Sequence, residues 1–276
     1  MKNPTRFRFH YFRNFTLLLL SIIFAVAVQA QSFWLPNATD NGIGLEVLKP
    51  SFEGEDETSF LSSAPTLSGR FRMGEQVLLA AELPFAYYNS EFSDGEFAVG
   101  NPYLGAILHN KAQSYFLEAG FRAPIASDKK YAALSRGYFA DYDRFEAYNP
   151  DLLSFTLKNH YLRNSDAGFA LRLMGGVSVL VPTGEDNFDT EALFDYAGHA
   201  GYENAKIQVL GGLTGRLIMT EEDLDFNERT VHHVGVFARY KADKVQPGLL
   251  FKVPVDDDFN DLVDFVFGLN VLVQLN

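Results

Sequence analysis

Five histidines lie beyond residue 30: His109, His160, His199, His232 and His233. A hydrolase built on one of them would need a serine or an aspartate within hydrogen-bond reach. No histidine is followed by serine two positions on, the spacing that would put both side chains on one face of a strand. No Gly-x-Ser-x-Gly turn is present either. His232 and His233 are adjacent, so in a strand they point to opposite faces and cannot ligate one metal together. The chain has no cysteine, which removes thiol nucleophiles, thiolate metal sites and disulfides. The expectation is no catalytic residue, no metal and no cofactor.

Charges set singly within apolar segments offer more. Glu46, Glu82, Glu118, Arg122, Lys158, His160, Arg172, Asp195, His199, Arg216, Arg239, Lys252 and Asp264 all lie on the face opposite an apolar one. Two uses compete for them. Opposite charges could brace a closed interior, or they could line a narrow polar path for a solute. A further set of carboxylates falls in turn-like segments: Glu53 to Glu57, then Glu185 to Glu191, Glu221 to Glu228 and Asp256 to Asp261. Clustered carboxylate oxygens suit calcium, but the spacing matches no EF-hand loop, so solvated acidic loops are the preferred reading. Such loops favour cations or neutral solutes over anions.

The elements that must hold these residues follow from the alternation. Val263, Phe265, Phe267, Leu269, Val271, Val273 and Leu275 occupy one face of the last segment, with Asp264, Gly268, Asn270 and Gln274 on the other. A period of two over this length is a strand. It exceeds the usual 5–6 residues of a globular strand and meets the 9–11 or so that crossing a bilayer requires. About twelve such segments are expected, near 40–48, 63–72, 75–86, 96–109, 112–124, 151–162, 167–181, 191–202, 205–219, 229–241, 244–254 and 261–275. Short turns and longer connections alternate between them. The pattern predicts an all-β, antiparallel, up-and-down transmembrane β-barrel, short turns at one rim and long loops at the other. A charge facing lipid at midplane costs about 2–4 kcal/mol, so the single charges should face the lumen.

The first thirty residues read as a signal peptide. Lys2, Arg6, Arg8 and Arg13 precede an apolar run from Leu17 to Val28, and Val28-Gln29-Ala30 is a small-residue cleavage site. The run is short for a spanning anchor, the competing reading. Residues 31–276 then form a single barrel domain. Net charge is -12, and residues 31–276 carry 19 Lys and Arg against 35 Asp and Glu, which argues against nucleic acid as a partner.

Two motifs carry a family resemblance. Gly100-Asn101-Pro102-Tyr103-Leu104-Gly105 and Val181-Pro182-Thr183-Gly184-Glu185-Asp186 resemble motifs of the outer-membrane barrels grouped as transporters of the meta-pathway of phenol degradation. This chain has Gly100-Asn101 where that family more usually has Gly-Asp, and it ends in Asn276 and not in Phe. The resemblance implies a Gram-negative outer-membrane barrel, in contact with lipid, that passes a small hydrophobic or aromatic solute. It brings no catalytic residues.

The expected function is therefore porin-like transport. Lumen-facing candidates are Glu82, Glu118, Arg122, Lys158, Arg172, Arg216, Arg239, Lys252 and Asp264. Residues 125–150 form the longest connection, and Tyr131, Tyr138, Phe139, Tyr142 and Phe145 make it the candidate gate. The bland alternative for these rings is an aromatic girdle beside an ordinary external loop. A closed barrel with a structural or surface role is the second reading of function. An outer-membrane enzyme is the third, and a soluble exported β-protein the fourth.

Overall fold

A computed structural model describes residues 41–275 except 53–61, 91–92, 185–188, 222 and 224. The expected signal peptide lies outside the described residues. Thirteen strands form one sheet: β1 Gly42–Phe52, β2 Ala64–Arg72, β3 Val77–Ser90, β4 Ser93–Val99, β5 Tyr103–His109, β6 Tyr115–Arg122, β7 Leu152–Asn164, β8 Phe169–Pro182, β9 Glu191–Glu203, β10 Ile207–Ile218, β11 Thr230–Tyr240, β12 Val245–Pro254 and β13 Val263–Gln274. Each neighbouring pair is antiparallel. β1 closes the sheet onto β13, from Gly42 opposite Gln274 to Phe52 opposite Val263.

β4 and β5 share one place in the wall. β3 pairs with β5 at its start, Glu82 opposite Tyr103, and with β4 further on, Phe85 opposite Val99. Counted this way the closed barrel has twelve strands, as the alternation predicts. The expected strand 96–109 is broken at 100–102, and the expected loop 87–95 is largely strand, since β3 runs to Ser90 and β4 begins at Ser93. Proline has no N–H for the ladder, which explains a break at Pro102. Gly100 explains its shape. A Cβ there would sit 2.3 Å from the Ala147 carbonyl oxygen, so only glycine admits the chain that passes behind it.

The wall sorts residues by side. Leu269 is 49% exposed on the outside, whereas Lys252 is 1% exposed inside. Charged groups point inward because outside they would face an apolar surround with no partner. Asp264 is a correction to the expected lumen set. Ser51 pairs with Phe265 and Phe52 with Val263, which leaves Asp264 as the extra residue of a bulge. A bulge resets the alternation: Val263 turns inward and Asp264 is exposed at the long-loop rim, 3.5 Å from the Ser51 hydroxyl.

Candidate functional site

The chain between β6 and β7 does not stay outside the barrel. It passes a short 3-10 turn at Asp128–Lys130, then helix α1, Tyr131–Ala140, then a 3-10 segment, Tyr142–Ala147. Small residues let this segment fold tightly: α1 buries Ala133, Gly137 and Ala140. The Tyr148 ring lies so close to Gly137 that a Cβ there would be 2.2 Å from it. Phe52 and Tyr88, on β1 and β3, hold the Arg136 guanidinium over their rings at 4.0 and 5.1 Å.

Asn101, fully buried at the break between β4 and β5, fastens both ends of the segment. Its Nδ2 donates to the carbonyls of Glu146 (3.0 Å) and Asn149 (2.7 Å). Its Oδ1 accepts from the backbone N–H groups of Ile125 and Ala126, both at 2.8 Å. Arg122 donates to the Asn101 carbonyl at 3.3 Å.

The 3-10 segment presents alternating charges, each met by the wall. Asp143 receives Lys252 of β12 at 3.0 Å and the Thr214 hydroxyl of β10 at 2.9 Å, with His233 of β11 at 3.8 Å. Arg144 binds Glu46 of β1, and Glu82 of β3 at 3.5 Å, while Asp141 beside it holds its Nε at 2.6 Å. Glu146 receives Arg216 of β10 at 2.8 Å and Arg122 of β6 at 3.7 Å. Six strands thus grip one short segment. Burial alone would raise the Asp143 carboxyl, but the Lys252 ammonium, with His233 beside it, outweighs burial and holds it well below the usual carboxylate range. Arg216 and Arg122 likewise outweigh burial at Glu146 and lower it.

The remaining sequence candidates take part in the same network or lie below it. Glu82 also pairs with Arg122 at 2.5 Å. Arg216 and Lys158 share Asp195 of β9, at 2.6 and 3.1 Å. Glu118 accepts from Tyr103 at 2.6 Å and meets His160 at 2.9 Å. Nearer the short-turn rim, Arg172 binds Glu203 and Arg239 donates to Asn270 at 3.1 Å.

Of the gate candidates, Tyr138, Phe139, Tyr142 and Phe145 pack together, with Tyr138 5.3 Å from Tyr142 and Tyr142 5.2 Å from Phe145. Phe139 touches Phe52 at 5.7 Å, and Tyr142 meets Phe259 at 4.8 Å, on the short helix α2, Asp257–Asn260. Tyr131 is apart, 78% exposed. Sequence reasoning missed Asp141, Asp143, Arg144 and Glu146 as partners of the wall. The available signal was four charges in a six-residue run between aromatic residues, in a chain whose inward faces carry both signs.

No family profile and no curated protein matches the sequence. Solved structures do match. An outer membrane channel from Pseudomonas putida F1 superposes with a TM-score of 0.60 at 15% identity, over 90% of this chain and all of that one. LpxR from Salmonella typhimurium gives 0.52 at 10% identity, over 85% of this chain and 100% of that one. The NanC porin gives 0.50 at 8%, over 84% and 100%. The chain has the outer-membrane β-barrel fold. At these identities the likeness speaks for the fold. The barrel's own geometry adds a lumen occupied by one of its long connections.

Proposed function

We propose that this barrel sits in the outer membrane and passes a small hydrophobic or aromatic solute, with residues 123–151 as its gate. The observation that carries the reading is the segment gripped inside the lumen. A wall of about twelve strands encloses more than side chains alone fill, between the packed eight-strand barrels and the open porins. Here a connection fills it through side-chain bonds that can part without breaking the wall. The likeness to an outer membrane channel of the same fold supports passage. The two motifs that resemble the phenol meta-pathway barrels support an aromatic or hydrophobic solute, as does the ring cluster beneath α2. Within this reading the barrel does no chemistry.

The test is to release the gate. Arg144→Met with Glu46→Gln and Asp141→Asn removes one grip without leaving a buried ion unpaired, since Glu82 keeps Arg122. In planar bilayers this variant should show openings that the parent lacks, while the barrel keeps its heat-modifiable mobility on gels. A folded variant that stays at background conductance would sink the gate and put the closed, structural barrel first. That second reading draws on the same observation, since Asp143, Arg144 and Glu146 each already have a partner on the wall.

A further inference from the structure

Below the gripped segment the lumen changes character. Near the short-turn ends of their strands, Arg70 of β2, Arg172 of β8 and Arg239 of β11 face inward. Lys241, just past β11, reaches in to bond Glu203 at 2.9 Å. Among the described residues the carboxylates that act on these four cations are Glu203, Glu118, Glu82 and Glu46, and Glu82 and Glu46 already hold Arg122 and Arg144. Glu203 already accepts from Arg172, Lys241 and Gln208, and Glu118 from Tyr103 and His160. The Nη1 of Arg70 is buried with no hydrogen-bond partner. The strands between Arg70 and Arg172 supply the opposite chemistry: Leu78, Ile107, Phe116 and Leu162 form one buried apolar cluster.

We infer that this inner layer binds a small organic acid, its carboxylate held by Arg70 and Arg239 and its apolar body against Ile107 and Phe116. Cations buried in excess of carboxylates call for an anion. A guanidinium fork suits a carboxylate in particular. The apolar neighbours select an acid with a ring or chain over a bare inorganic ion. The acidic outer loops do not forbid this. Read from the sequence as solvated loops, they are screened by salt over about 8 Å, so they govern approach and not the inner layer. The inference rests on the passage reading in that it names the class of solute passed.

The test uses the full mature chain folded in detergent, with sodium benzoate as probe and benzyl alcohol as its neutral counterpart. Calorimetry should give one benzoate site, at least about tenfold tighter than benzyl alcohol, and Arg239→Gln or Arg70→Gln should weaken benzoate by about tenfold. Equal affinity for the two probes would overturn the inference, as would no benzoate binding or folded variants within about twofold of the parent. If the arginine variants fail to fold, the comparison of the two probes on the parent still decides. Conductance separates the two readings. Benzoate bound to a barrel that passes nothing after gate release would leave the acid site standing and remove passage. Conductance without benzoate binding would do the reverse.

Discussion

Asn101 shows how much one side chain can organise. A carboxamide both donates and accepts, so Asn101 can hold carbonyls at one end of the inserted segment and N–H groups at the other. Asn101→Leu should strand several buried backbone groups and cost roughly 2–5 kcal/mol, read as rapid proteolysis within 123–151 on an otherwise resistant barrel. Asp143 and Lys252 make a second case. Asp143→Asn alone leaves the Lys252 ammonium buried without its partner and should cost about 3–5 kcal/mol. Adding Lys252→Met should recover most of that in urea unfolding, and additive losses would show that the pair is not coupled. Acid should act late. Asp143 and Glu146 have folded-state values lowered below their unfolded ones. Their contribution is therefore complete above the ordinary carboxylate range, near pH 4, and is lost only as pH falls below it. Protease resistance of the segment should be the same at pH 7.5 and 5.5 and decline below about pH 4. Loss already at pH 5.5 would mean these carboxylates do not hold it.

At the level of elements, the alternation is what makes the strands legible. Leu269, Val271 and Val273 must face one surround and Gly268, Asn270 and Leu272 another, and only a two-faced strand does that. The same logic places Arg172, Arg216 and Arg239 inside. Where the sequence misleads, a local irregularity is responsible. The bulge at Asp264 and the break at 100–102 each shift the count by a residue or more, and composition does not announce a bulge. Leu269→Arg should destabilise the barrel by about 2–4 kcal/mol near midplane, whereas Asp225→Arg, on an exposed loop, should change stability by no more than about 0.5 kcal/mol. Equal, small effects at both positions in folding titrations from urea into lipid vesicles would argue that the outer wall does not meet lipid.

For the whole molecule, the sequence points to residues 125–150 as the gate by length and aromatic content, yet not to how they are held. The rings pack mainly against one another, Phe52 and Phe259, while the grip comes from charges whose partners lie far away in the chain. Arg144 reaches Glu46 across 98 residues, and Asp143 reaches Lys252 across 109. Pairings at that separation leave no local trace in composition or period. The same separations set an order of assembly. Glu46 stands on the first strand and Lys252 on the twelfth, so the two meet the segment only after the seam between β1 and β13 has closed. During insertion, then, the wall must be complete before its stopper can seat. A barrel caught with its seam open should expose residues 123–151 to protease, and protection of that stretch should be the last event to appear as the chain matures.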